Sequence, residues 1–515
     1  MRGNCVLWFG VFVIAAALFP GCALTTHFAY TNVELKDDSQ PVPQASFVIR
    51  KDRDGKLYKN VLVLLSLSGG GSRAAYFSAR TLLALERVSS VQGAPLNVLK
   101  EVDLISSVSG GSLAAAYYAS SYDPGAPEIG HGRRVWDEPT VRDLMGRDYI
   151  GRWIGNWFWP VNIAKFWLTA FDRTDIMAQT FADNLFDLTT TGTDLRFHDL
   201  NPTRPNLVLN ATVGSHEYRK SDPQSAVAFG TVFTFTSEDF AVKVNSDLSS
   251  YELARAVMAS ATFPAVFNYM TLRDFHKHPG CHEDAGGCYV HLFDGGNFDN
   301  LGLGSIKRTL LSNRAKLLDE YDRIVVVLVD AFRPSIGVNP ASADPRSRLS
   351  YIVDTDFLDA TDSLLEANRQ RVLDQFFSRT IATSSRLEDC QRDGLPDHAC
   401  PVTWPPDERN RVHRQLEEKL FFFQLAFAGV VDDAVQKRLN AIPTTFRLQA
   451  DEMKAIEEGV NKLFEPSGAE VYACVQRLSE ILTIPGTPVV LAGNPWCGRW
   501  SPGEQQKQKE LRQAH

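Results

Sequence analysis

One serine sits where a short apolar run meets a run of very small residues, and that junction constrains the fold more than anything else in the chain. The stretch reads Val102-Asp103-Leu104-Ile105-Ser106-Ser107-Val108-Ser109-Gly110-Gly111-Ser112-Leu113-Ala114-Ala115-Ala116. The spacing predicts a buried strand, a sharp turn at Ser109 and a helix behind it. A strand-to-helix turn holds a hydroxyl clear of the strand end and aims helix N-terminal N–H groups at any negative charge that develops there. Such a turn needs small neighbours. Ser107 and Gly111, two residues to either side, satisfy it, although the usual G-x-S-x-G pattern carries glycine where this chain has Ser107.

A second unit of the same kind precedes it. Val61-Leu62-Val63-Leu64-Leu65-Ser66-Leu67 reads as a strand buried on both faces. Gly69, Gly70 and Gly71 follow, and a helix opens at Ser72-Arg73. Strand, glycine turn and helix make an anion-binding arrangement, because glycine lets backbone N–H groups approach a charge closely. The Lys-Ser/Thr pair of a phosphate-binding P-loop is absent, and Ala74 breaks the dinucleotide G-x-G-x-x-G. An oxyanion hole fits better. Arg73 is read as steadying the loop, facing an anionic head group, or standing as a surface charge. The serine also needs a base. No histidine has a convincing setting, and His291 reads as structural. Asp294 is the stronger candidate, delivered by an apolar strand into Asp294-Gly295-Gly296-Asn297-Phe298-Asp299-Asn300. Burial there raises a carboxyl pKa toward a useful value. Asp299 and Asn300 are assigned to holding the turn.

These three segments resemble the three motifs of patatin-like phospholipases, in order and context. The resemblance covers roughly residues 60–335. It implies a three-layer α/β fold with a mainly parallel central sheet. It also implies a Ser–Asp dyad without histidine that acts on acyl esters of lipids. Ser109 then corresponds to the nucleophile and Asp294 to the base. The glycine loop, Gly69, Gly70 and Gly71 with Arg73 and Gly110 beside it, corresponds to the oxyanion hole. No cofactor and no metal are implied. The departures are Ser68, Ala74 and Ser107, each small or outside the attack geometry. Two further classes stay open: a non-catalytic lipid-binding envelope protein, and an acyltransferase or thioesterase on the same dyad. Head group, acyl position, chain length and acyl acceptor are not written in the sequence.

The rest of the 515 residues fill in around that unit. Between Ser109 and Asp294 lies a large insertion, helical and aromatic-rich over about 130–200, with Trp153, Trp157, Phe158, Trp159, Phe166, Trp167 and Phe171. Its simplest reading is a helical cap on the core; an acyl channel or a membrane contact are the alternatives. A helix start is expected at Asp172 or Thr174. The alanine-rich Leu253–Ser260 is expected to pack closely under the site, and Ile324–Asp330 reads as another buried strand. Residues 336–500 read as a mostly helical C-terminal region, with one helix over Leu416–Ala428 and another through Met453, Ile456, Val460 and Leu463. Residues 501–515 read as a disordered tail.

Composition bounds the partners and the compartment. A net charge of −8 argues against nucleic acid and against polybasic membrane binding. Residues 1–21, with an apolar run from Val6 to Phe19, have the layout of a signal peptide. Gly21-Cys22 after it resembles a bacterial lipobox, making Cys22 the lipidated mature N-terminus. An ordinary secretory signal or an uncleaved anchor fits the same run. Removing residues 1–21, whose one charged residue is Arg2, takes the net charge from −8 to −9. The expected location is the cell envelope, with a lipid anchor facing the periplasm or exterior. Six further cysteines form three sequence-local couples, Cys281 with Cys288, Cys390 with Cys400 and Cys474 with Cys497. An oxidising compartment makes these disulfides the simplest guess. The spacing of His276, His278, Cys281, His282 and Cys288 fits no common zinc pattern.

Overall fold

A computed structural model describes residues 30–89, 93, 95–215, 229–264, 266–276, 288–333, 356–378, 387–484 and 494–499. The segment containing Arg2, Cys22 and the apolar run, and the tail beyond 500, lie outside the described residues.

Nine strands form one sheet: β1 (Val61–Leu67), β2 (Leu104–Val108), β3 (Asn206–Val213), β4 (Val232–Phe235), β5 (Met270–Asp274), β6 (Cys288–Asp294), β7 (Arg323–Asp330), β8 (Leu420–Ala426) and β9 (Cys497–Arg499). Their order is β9-β8-β7-β1-β2-β3-β6-β5, with β4 also on β3. The five central strands, β8 to β3, are parallel; β9, β6, β5 and β4 are antiparallel to their neighbours. The sheet is therefore mixed, parallel in the middle.

Alternation along each strand splits the core in two. Val61, Val63, Leu65, Val325, Val327, Phe421 and Phe423 face one side. There they meet α1 (Gly71–Leu85), α2 (Gly110–Ser120), α5 (Arg173–Phe181), α6 (Leu253–Ser260), α10 (Ala450–Phe464) and α11 (Ala469–Thr483). Leu62, Leu64, Ile324, Val326, Leu420 and Phe422 face the other side, against α7 (Leu303–Ser312), α8 (Asp356–Ser378) and α9 (Pro406–Lys419). This is the expected three-layer α/β architecture. The asymmetry of strand and helix burial explains the unbroken apolar runs, since a strand covered on both faces has no polar side to show.

The helix expected over Leu416–Ala428 is corrected. It ends at Lys419, and Leu420–Ala426 is β8, in register with β7 from Ile324↔Leu420 to Asp330↔Ala426. Phe421-Phe422-Phe423 is a buried strand, which periodicity alone cannot tell from a buried helix. The region after 335 is otherwise mostly helical, but β8 and β9 join it to the same sheet. The helix through Ile456, Val460 and Leu463 is α10, with all three side chains buried. Two disulfides join the expected neighbours, Cys390–Cys400 and Cys474–Cys497. Cys288 is also disulfide-bonded; Cys281, the expected neighbour, lies outside the described residues.

The insertion is helical, with α3 (Tyr149–Trp157) and α4 (Pro160–Leu168) before α5. Asp172 caps α5 in a reciprocal capping box with Asp175. Most of the insertion packs on the core as expected, through Trp136, Leu144, Met177, Phe181 and Phe186, and α4 is the part that does not. Tyr149 is buried and Trp153 leans on the core, whereas Asn162 is the one buried residue of α4. The reading of the aromatic cluster as a cap on the core fails for α4.

Candidate active site

Strand pairing brings Ser109 and Asp294 together. Leu209 of β3 pairs with both Ser107 of β2 and Phe235 of β4, and Ala211 pairs with both Phe233 of β4 and Asp294 of β6. A residue in a strand has two hydrogen-bonding edges, and β4 takes one of them throughout. β2 and β6 therefore share the other edge of β3, end to end. β2 runs parallel to β3 and β6 antiparallel, so their C-terminal ends meet head-on. Val108 pairs with Asn210, and Asp294 pairs with the next residue, Ala211.

At that meeting point Ser109 Oγ donates to Asp294 Oδ2 at 2.8 Å. Both residues are buried, Ser109 at 7% and Asp294 at 4% exposure. Ser109 has φ 49° and ψ −122°, one of two non-glycine residues with positive φ among the described residues. Such a backbone costs on the order of 1–3 kcal/mol and persists only where its surroundings hold it. Ser260, at the end of α6, does part of the holding. Its Oγ accepts the Ser109 N–H at 3.0 Å, donates to the Asn210 carbonyl at 2.6 Å and lies 2.9 Å from Ser112 Oγ. Ser107 and Ser112 are joined Oγ to Oγ at 3.1 Å, so the serine that replaces the usual glycine is absorbed into the network.

Asp294 is fixed on every side. Its N–H donates to Thr262 O, its carbonyl accepts from Thr212 Oγ1, and its Oδ1 accepts the Gly296 N–H at 2.8 Å. Burial pushes its carboxyl from 3.8 up to about 6, against the hydrogen bonds from Gly296 and Ser109, which favour the charged form. Asp299 holds the turn as expected, accepting the N–H groups of Leu301, Gly302 and Gly304. From α8, Asn368 and Arg371 both donate to Phe298 O and brace the same turn. His291 stacks on Tyr269 at 3.9 Å between centroids and bonds Thr271, a structural role.

The glycine turn lies against this pair. A Cβ added to Gly69 would come 3.1 Å from Ser109 Cβ, and one on Gly110 would come 2.0 Å from Gly71 O. The α1 and α2 N-termini approach each other that closely only because glycine is at the contact. Gly69 N–H donates to Asn300 O, and Ser68 links the turn to β7, donating its N–H to Val329 O while its Oγ accepts the Ala331 N–H. The N–H groups of Gly70, Gly71 and Gly110 have no acceptor among the described residues. Ser72 N–H donates to Thr445 O at 2.6 Å, and Arg73, only 4% exposed, donates to Ile442 O at 2.8 Å. Arg73 is thus no surface charge; it ties the glycine turn to the 442–445 segment.

The structure brings together Ser109, Asp294, Gly69, Gly70, Gly71, Arg73 and Gly110, all singled out from sequence. Cys22 lies outside the described residues. Sequence reading missed Ser260, Asn210 and Thr212, which carry no motif; the small-residue run of α6 is the one signal near Ser260. No group of three or more His, Cys, Asp or Glu suited to a metal occurs among the described residues.

A strained serine, a buried carboxylate in hydrogen-bond reach and a turn with unpaired amides form the arrangement that acyl-transfer chemistry requires. Residues 65–306 match the family model "Patatin-like phospholipase". Among solved structures, human GIVD cytosolic phospholipase A2 is similar at 11% identity and a TM-score of 0.42, over 84% of this chain and 64% of that one. VipD from Legionella pneumophila is similar at 13% identity and a TM-score of 0.25, over 83% and 70%. This chain thus spans less than two thirds of the human protein's length, and likenesses so distant add nothing on chemistry. No curated protein matches the chain.

Proposed function

We propose that the protein is a lipid acyl hydrolase that cleaves carboxylic esters through Ser109, Asp294 and an acyl-enzyme. The observation that carries this reading is the 2.8 Å hydrogen bond from Ser109 Oγ to a buried carboxylate at a strained turn. Asp294 takes the hydroxyl proton as Oγ bonds to the ester carbonyl carbon. The carbonyl electrons move to oxygen, and the unpaired N–H groups of Gly70, Gly71 and Gly110 are the donors available to it. The tetrahedral centre collapses, the C–O bond to the alcohol breaks, and Asp294 returns the proton to the leaving oxygen. Water then repeats the sequence: Asp294 accepts its proton, the fatty acid leaves, and Ser109 regains its hydrogen. With a pKa near 6, Asp294 is ionised at neutral pH yet basic enough to accept a proton in passing.

The test is hydrolysis of phospholipids and short esters beside Ser109→Ala, with covalent labelling by a fluorophosphonate. The parent is expected to turn over and to label at Ser109, with activity down at least ~1000-fold in the folded variant. Equal turnover in both proteins overturns the assignment; labelling without hydrolysis moves the reading to an acyltransferase. For the N-terminus, the Val6–Phe19 run ending in Gly21-Cys22 supports export and lipidation of Cys22 in a cell envelope, and mass spectrometry of the membrane-extracted chain tests it.

A further inference from the structure

Seven of the fifteen large apolar side chains exposed among the described residues fall between 154 and 168. Phe158 is 75% exposed, Trp159 62%, Trp167 78% and Leu168 63%. Singly exposed apolar residues are ordinary, but a contiguous cluster marks a binding surface. The cluster is built as a projecting hairpin. α3 is rooted by Tyr149 and by Trp153, whose Nε1 donates to Arg173 O and whose ring meets Phe267 at 5.4 Å. Beyond the root, the tilted Trp157–Phe166 contact at 5.1 Å holds α4 against α3, and Trp167 meets Phe166 edge-on at 5.9 Å. α4 presents Val161, Ile163, Trp167 and Leu168 outward.

We infer that the α3–α4 hairpin seats this protein on an anionic lipid surface. Two observations choose lipid over a second protein. The aromatic and aliphatic mixture is that of a membrane interface, where tryptophan sits at head-group level and the Trp, Phe and Leu face of an interfacial helix enters the head-group/acyl boundary. From Tyr149 to Phe171 the charged residues are Arg152 and Lys165, with no acid, in a chain of net charge −8. The hairpin is thus a basic, apolar projection on a molecule of net negative charge, complementary to anionic head groups. No helix among the described residues is long and apolar enough to cross a membrane, so the hairpin lies in the interface.

The hairpin root is joined to the candidate site. Phe267, against Trp153, follows α6 by a few residues, and Asn268 bonds Thr174 of α5. At the other end of the same segment Ser260 accepts the Ser109 N–H and Thr262 O accepts the Asp294 N–H. Val266 and Tyr269, on either side of Phe267 and Asn268, are exposed at 37% and 44%. Docking places this face, and the segment that holds Ser109 and Asp294, toward the lipid. That last link rests on the acyl-hydrolase reading; the docking itself does not.

The test uses the full chain and vesicles of phosphatidylcholine with phosphatidylglycerol, some carrying bromine on the acyl chains. Bromine quenches tryptophan that enters the bilayer, so the readout reports the hairpin even when an N-terminal anchor holds the protein down. Tryptophan fluorescence of the parent is expected to fall in brominated vesicles, and Trp159→Phe/Trp167→Phe removes most of that fall. Trp159→Ser/Trp167→Ser, checked for fold by circular dichroism, is expected to lower vesicle-lipid hydrolysis about 10-fold or more while leaving a soluble short-chain ester unchanged. Absence of quenching, or quenching the tryptophan variants do not alter, overturns the inference. So does a hairpin variant that changes oligomeric state and leaves quenching intact, which would give the surface to a second copy of the chain. Hairpin-dependent quenching without any ester hydrolysis keeps the docking and removes the hydrolase reading.

Discussion

Asp294→Asn should make this protein more stable while stopping its chemistry. Burial lifts the Asp294 carboxyl from 3.8 to about 6. At about 1.4 kcal/mol per pK unit, this is a preference for the neutral acid of about 3 kcal/mol in the folded state. The sign follows from linkage. A carboxyl whose folded pKa is raised binds more protons folded than unfolded between 3.8 and about 6, so its contribution to stability is fully present below 3.8 and is lost as pH rises through about 6. At pH 8 the parent carries that cost and asparagine does not. Asparagine keeps the acceptor for the Gly296 N–H and offers a donor to Ser109 Oγ, so the turn retains its two contacts.

Melting entropy near 60 °C is about 2.1 cal/mol/K per residue. For a chain of 515 residues this is about 1 kcal/mol/K. The variant should therefore melt about 3 °C above the parent at pH 8, with the gap closing by pH 4. Hydrolysis should drop by about 100- to 10,000-fold, the usual contribution of a positioned base. In the parent, kcat/KM should rise about tenfold per pH unit below 6 and flatten above it. Paired melting scans and rate profiles from pH 4 to 8, disulfides intact, measure all three. A variant no more stable than the parent at pH 8, or a gap that ignores pH, would refute the claim that Asp294 is held ionised against its surroundings.

Ser260→Ala removes the acceptor of the Ser109 N–H and the donor to Asn210 O. About 1–3 kcal/mol of lost support should appear as a roughly 10- to 100-fold lower kcat and slower fluorophosphonate labelling, with KM little changed. Gly71→Ala introduces a Cβ 2.3 Å from Thr445 O at φ +61°, so the glycine turn must move. Activity should fall about 100-fold or more, and the loss should exceed that of Gly55→Ala, where a Cβ meets nothing within 4 Å. Replacing Cys474 and Cys497 with serine opens a link of sequence separation 23 between α11 and β9. The chain-entropy cost is about 3 kcal/mol, read as a lower denaturation midpoint with the dyad chemistry retained at 25 °C.

What the sequence displayed and what it hid divide along one physical line. The β1 and β2 units were legible because each is local: an apolar run, small residues at the turn, a helix start. Arg73 was legible as a loop residue but not as a buried one, since its partner, Ile442 O, lies 369 positions away. β8 was misread because burial on both faces erases the period that separates strand from helix. The exposure of α4 was hidden for the opposite reason: a tryptophan facing solvent and one facing a core are the same letter, and only the absence of a packing partner distinguishes them.

The approach of Ser109 to Asp294 belongs to the hidden class, although both residues stood out. Nothing across a sequence separation of 185 announces that β2 and β6 will share one edge of β3. Once they do, the geometry is set by backbone register. Asp294 pairs with Ala211 and Val108 with Asn210, so the serine and the carboxylate meet across adjacent rungs of one strand. A slip of one residue in either pairing would turn every side chain of that strand to the opposite face. The side chains Ile105, Leu207, Leu209, Val290 and Leu292 of these three strands, all buried in one core, resist that slip. The precision of the site is therefore bought in the core, by residues that touch neither the serine nor the aspartate.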